Sequence, residues 1–125
     1  MTRRLALFGP ALLWADARQD VLDMTAPLAA ALSNGDADDF LARVPADASL
    51  ETNVRALTAQ AEVTSSIQIA SLEKDMAELD WYMQIRGRAT GSLLERRRGT
   101  VKIRFRKHEI LSITPADFFK PVEVR

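Results

Sequence analysis

No cysteine occurs in the chain, so disulfides, thiolate nucleophiles and zinc sites built on cysteine are excluded. Their absence does not decide the compartment. Histidine and tyrosine each occur once. That leaves little for histidine-based acid–base work and nothing for a multi-histidine metal site. Neither sign of charge is in excess: 17 Lys and Arg balance 17 Asp and Glu. No global field draws this chain to nucleic acid or to an anionic surface. No apolar run approaches the roughly 20 residues that span a bilayer as a helix. Repeats and low-complexity tracts are also missing. What remains is the makeup of one ordinary globular domain of 125 residues, 47% hydrophobic and 27% charged.

The balanced charge is unevenly placed. Residues 18–62 carry three basic and eight acidic side chains, whereas residues 86–107 carry nine basic and one acidic. The first 17 residues have the three-part plan of a secretory signal peptide. Arg3 and Arg4 are followed by the apolar run from Leu5 to Trp14, then by Ala15-Asp16-Ala17, with small residues where a signal peptidase reads. Cleavage after Ala17 is expected, and Gly9-Pro10 should break any helix there. The expected protein is exported, periplasmic or secreted, soluble and free of the membrane after cleavage. A cytoplasmic protein with an apolar leader is the alternative. Residues 18–125 then form a single domain.

Periodicity divides that domain in two. Residues 20–33 have Val21, Met24, Leu28 and Leu32 at helical spacing, with Pro27 expected to kink the helix or delay its start. Gly35 suits a left-handed C-cap. Asp36 should cap a short helix to about Val44, with Asp38 and Asp39 in its first turn. Ser49 is the expected N-cap of a third helix carrying Leu50, Val54 and Leu57. After Gln60 the period changes to two. Val63, Ser65, Ile67 and Ile69 share one face, and so do Leu79, Trp81, Met83 and Ile85 on the next segment. Val101, Ile103 and Phe105 follow, then Leu111 and Ile113. Alternation of this kind indicates an antiparallel sheet with one wet face, and the preceding helices must cover the dry one. The expected class is α+β, with N-terminal helices on the concave face of a curved four-stranded antiparallel sheet.

The step Ser33-Asn34-Gly35-Asp36-Ala37-Asp38-Asp39-Phe40 between helices, the Asp80-Trp81 strand and the ending Pro115-Ala116-Asp117-Phe118-Phe119 resemble the nuclear-transport-factor-2-like superfamily. The resemblance spans residues 20–121 and is nearest to small bacterial members of unassigned function. It implies a cone whose sheet wraps the helices around a pocket. It also implies dimers formed through the sheet, with Tyr82 exposed there. Some members are isomerases, cyclases or dehydratases; others bind ligands or partners. A fold does not carry an activity with it. The tyrosine-and-acids set of isomerase-like members has no counterpart here, because Tyr82 falls on the wet face. The histidine–aspartate set of the other enzymes has none either, because His108 falls in a turn.

No catalytic residue, cofactor or metal site is therefore assigned. Asp36, Asp38 and Asp39 are read as helix-capping residues. Arg96, Arg97 and Arg98 with Lys102, Arg104, Arg106 and Lys107 form a basic patch without aromatics interleaved on the same face, so nucleic acid is not an expected partner. The candidate ligand-binding residues are Ser65, Trp81, Met83, Arg97, Ile103 and Phe105, with Glu95 beside Arg97 near the open end. The plainer alternative is that these side chains only fill the core. Sequence thus points to a small apolar ligand or a protein partner bound without catalysis. One alternative is an isomerase, cyclase or dehydratase with an acid–base group in the cone, and another is a structural dimerisation module.

Overall fold

The computed structural model describes residues 2–123, with side chains described from Ala17 to Glu123. Three helices come first: α1 (Thr2–Asn34), α2 (Ala37–Ala42) and α3 (Ala48–Gln60). Four strands follow: β1 (Ala61–Leu72), β2 (Met76–Gly87), β3 (Leu93–Arg106) and β4 (Glu109–Thr114). A single 3-10 turn, Ala116–Phe119, comes after β4. The strands lie in sequence order, each antiparallel to the next. The expected α+β class is what forms: helices on one face of a curved antiparallel sheet.

Helix α1 departs from expectation. It runs unbroken through both Gly9-Pro10 and Pro27, with no late start. Pro27 removes one ladder bond. The stripe of Val21, Met24, Leu28, Ala31 and Leu32 is buried in the core, and that packing outweighs the local defect. The expected leader falls where side chains lie outside the described residues, apart from Ala17. Every buried α1 side chain described lies at Val21 or later. The far end of α1 follows expectation. Gly35 has φ +68° and donates to the Leu32 carbonyl, while the Asp36 amide donates to that of Ala31. This double bond pattern closes a helix around a left-handed residue.

Asp36 caps α2 as read from the sequence, accepting from the Asp39 amide at 3.0 Å. For α3 the cap is Asp47 rather than Ser49, accepting from the Leu50 amide at 2.8 Å. A carboxylate two residues upstream takes the role because the helix starts earlier, at Ala48.

Three bulges curve the sheet. The β1–β2 register slips between Ile69 and Ser71, β2–β3 between Ile85 and Arg86, and β3–β4 between Arg104 and Phe105. The last corrects one expectation. Leu111 is the extra residue between Ile110, opposite Phe105, and Ser112, opposite Arg104. It is therefore 44% exposed, and Ile110 is buried in its place. A bulge shifts the two-residue rhythm by one, which no reading of alternation alone can anticipate.

Elsewhere the phase holds. Val63, Ala77, Leu79, Trp81, Met83, Ile85, Val101 and Ile103 are fully buried on the concave side. Tyr82 lies half-buried on the convex side, its hydroxyl accepting from Gln84 Nε2 at 3.4 Å.

Candidate functional site

The register sorts the six candidate residues into two groups. Ser65, Met83 and Arg97 lie directly opposite one another across β1, β2 and β3, in one row on the concave face. The next concave row is Ile67, Trp81 and Gly99. Ser65, Trp81, Met83 and Arg97 are thus brought together. Ile103, opposite Ala77 and Ile113, lies about 20 Å along β3 from Arg97, and Phe105 lies further still. These two belong to the other end of the core.

The C-terminal strap, residues 115–122, covers the first group. Its ring pair sits edge-on to the indole: Phe119 at 5.2 Å and Phe118 at 6.2 Å between centroids. Phe119 also meets Phe40 of α2 at 5.4 Å. Such edge-to-face contacts are the favoured aromatic geometry. Gly99 makes room for this packing. A Cβ there would lie 2.9 Å from the Phe118 ring, so the strap can rest on β3 only where the strand has no side chain.

Side chains tie the strap at three places. Asn53 Nδ2 donates to the Ala116 carbonyl at 3.0 Å. Gln60 donates to the Val122 carbonyl at 2.7 Å and accepts from the Val122 amide at 2.8 Å. Arg97 Nη1 donates to the carbonyls of Phe118 (2.8 Å) and Lys120 (2.6 Å). The other edge of the same guanidinium holds Glu95, through Nε at 2.6 Å and Nη2 at 3.3 Å. Arg97 is 8% exposed overall, and its charge is matched by a carboxylate and two carbonyl dipoles.

The Glu95 carboxyl is held below the ordinary carboxylate range, chiefly by its hydrogen bonds from Arg97, with partial desolvation opposing. A depressed folded-state pKa contributes stability that is complete above the unfolded value and is lost as pH falls through the folded one. Stability is therefore expected to decline as pH drops below about 4.3, the ordinary glutamate value. In Glu95→Gln, denaturant titrations from pH 6 to pH 3 should show a shallower decline. An identical pH dependence in both proteins would mean the pair does not form.

Two polar atoms in this region have no hydrogen-bond partner although they are buried: Ser65 Oγ and Trp81 Nε1. Buried polar groups are nearly always satisfied, so each calls for a physical reason. Among the described residues, the buried polar or charged ones are Thr25, Thr58 and Arg97. Both threonines bond to carbonyls of their own helices.

A second feature lies at the other end of the core. A cleft of about 270 Å³ opens between α1 and the β3–β4 turn, lined by Asp23, Met24, Pro27, Arg43, His108, Glu109 and Ile110. His108 Nδ1 is 3.6 Å from Asp20 Oδ1, with the histidine side chain 76% exposed. Sequence reasoning missed this acid partner because it comes from α1, far away in the chain. A shallow apolar groove of about 250 Å³ follows α1 and β1, lined by Leu22, Thr25, Ala26, Ala29 and Ile67.

The three aspartates around α2 are engaged locally. Asp36 caps the helix, Asp38 pairs with Arg55 at 2.8 Å, and Asp39 pairs with Arg43 at 3.0 Å. Among the described residues, no three acidic or histidine side chains cluster as metal ligands would. On the convex face, Arg98 forks onto Asp80 at 2.9 and 2.5 Å, which draws the Asp80 carboxyl below its ordinary pKa. Lys102 stands 3.7 Å from Glu78. Acids on β2 thus offset part of the basic patch on β3. Among the described residues, no helix is long and apolar enough to cross a membrane.

No family model matches the chain, and no curated protein matches it. Among solved structures, a candidate polyketide cyclase from Xanthomonas campestris pv. campestris is similar, with a TM-score of 0.59 and 13% identity. The match covers 78% of this chain and 90% of that one. At such identity the likeness shows a shared fold and no more. That fold is consistent with the nuclear-transport-factor-2-like resemblance read from the sequence.

Proposed function

We propose that this domain binds a small, largely apolar ligand within the cone, without catalysis, against Ser65, Trp81, Met83 and Arg97. The observation that carries the reading is the pair of buried, unpartnered atoms Ser65 Oγ and Trp81 Nε1 on neighbouring rows of a face that is mostly apolar apart from the Arg97–Glu95 pair. An apolar lining with a few convergent polar atoms is the usual construction of a small-molecule site. Arginine does not titrate in proteins, so Arg97 is neither acid nor base. Glu95, held ionised by Arg97, is a weakened base. Both features favour binding over proton transfer.

Native mass spectrometry of the protein purified from its own source tests this reading. A mass increment from a small molecule is expected, diminished in Ser65→Val and Trp81→Phe variants that remain folded. Ligand-free protein throughout would overturn it.

The Asp20–His108 pair favours a second reading, an acid–base enzyme of the isomerase, cyclase or dehydratase kind. A carboxylate 3.6 Å from a histidine at the rim of a cleft sets side by side the two kinds of group that acid–base chemistry uses. Its site would be the cleft rather than the cone, and its mark would be a turnover lost in His108→Gln.

Export rests on the leader-like first 17 residues. Cleavage after Ala17 would leave every described buried contact of α1 in place, and N-terminal sequencing of the cellular protein decides it. Pairing of two copies through the convex face rests on half-buried Tyr82 and its polar neighbours; the subunit count from the same mass spectrum tests it.

A further inference from the structure

The strap covers Trp81 and Arg97 together. Two adjacent phenyl rings pack on the indole, and two carbonyl oxygens converge on one guanidinium nitrogen, Arg97 Nη1. We infer that residues 115–122 are a displaceable plug that occupies the binding site, and that the ligand they stand in for is an apolar carboxylic acid. Its carboxylate would take the place of those carbonyls as the acceptor on Nη1. Its apolar body would replace the two rings against Trp81. This inference rests on the proposed ligand-binding role and names the ligand class and its control.

The chemistry of the site favours a carboxylate. With the strap withdrawn, Arg97 would keep Glu95 on Nε and Nη2 but lose both acceptors on Nη1. A buried guanidinium with free N–H groups demands an acceptor, and a carboxylate makes a strong, charge-assisted one. Ser65 Oγ and Trp81 Nε1 are further donors on the same face.

The strap is held by two buried rings and by side-chain bonds, outside any strand ladder. Its four-residue 3-10 turn makes local bonds only, Phe118 N to Pro115 O and Lys120 N to Asp117 O. Asn53 and Gln60 hold it by part-buried side-chain bonds and Arg97 by a buried one. Segments with few ladder bonds open at a fraction of the global unfolding free energy. A ligand that binds only the open form acts by shifting that equilibrium.

Dodecanoate, with dodecanol as its neutral counterpart, serves as the probe. Hydrogen exchange followed by mass spectrometry should show dodecanoate speeding exchange of the Phe118, Lys120 and Val122 amides at least about tenfold, while β2 amides stay protected. In an Asn53→Cys/Ala116→Cys double variant, where no native cysteine competes, oxidation should weaken dodecanoate binding at least about tenfold, and reduction should restore it. Binding with unchanged strap exchange, or equal binding to the oxidised and reduced variant, would overturn the plug and leave the ligand-binding role standing. Equal binding of dodecanol would overturn the carboxylate. Failure of wild-type and reduced protein to bind either probe, together with ligand-free protein from its own source, would overturn the ligand-binding role itself.

Discussion

Trp81→Ala is expected to lose about 3–5 kcal/mol of folding stability, the range for truncating a large buried aromatic. The indole has no exposed surface, and two edge-on rings pack against it. It contacts strap and sheet at once, so the cavity left behind would touch both and neither could collapse into it fully. Its Nε1 has no partner, so the loss contains no broken hydrogen bond and is a packing effect alone. Trp81→Phe keeps a ring in the cluster and should cost markedly less. Urea titrations followed by far-ultraviolet circular dichroism measure both. A loss below about 1 kcal/mol for the alanine variant would mean that β2 has the opposite phase and that the concave face is wrongly assigned.

The second large effect is expected at Arg97. Replacing it with alanine removes four hydrogen bonds and strands two carbonyls and a carboxylate in a partly desolvated region. Breaking a fully buried pair in this way costs roughly 3–5 kcal/mol. The Glu95 side chain is 35% exposed and can recover water, so about 2–3 kcal/mol is expected. Arg97→Lys retains the charge but not the planar fork, and should recover only part of the loss. The strap should loosen in both variants, with faster exchange at Phe118 and Lys120 than at any β2 amide. A strap that exchanges as slowly as wild type in Arg97→Ala would show that the aromatic pair, Asn53 and Gln60 hold it without the guanidinium.

Much of this architecture could be read before any coordinates. The change of period after Gln60, the glycine at position 35 and the aspartate at 36 each act through local geometry, so they are visible in the chain. The strand phase places Trp81, Met83 and Ile103 inward and Tyr82 outward as read. Errors arose where one local signal competed with another or with packing. Pro27 looks like an interruption, yet the buried stripe on either side carries the helix through it. Ser49 looks like a cap, yet Asp47 takes the role. Leu111 fits the alternation, yet a bulge turns it to solvent.

The candidate site was legible only in part. Ser65, Trp81, Met83 and Arg97 could be placed on one face, because side chains alternate by geometry. That Ile103 and Phe105 serve the opposite end follows from register, which depends on where bulges fall. That Phe118 and Phe119 return to cover Trp81 could have been suspected, since adjacent aromatics after a last strand seldom remain in water. Their seat required Gly99, whose role is apparent only beside the ring it admits. The Asp20–His108 pair left no local trace.

The order of elements, the concave and convex faces and the lack of thiol chemistry were settled by the residues themselves, through propensity and a two-residue rhythm that act over a few positions. Tertiary structure decided that Arg97 grips the chain's own tail and that two aromatic rings occupy the place beside Trp81. Those contacts join segments distant in sequence, and the packing of the whole domain selects them.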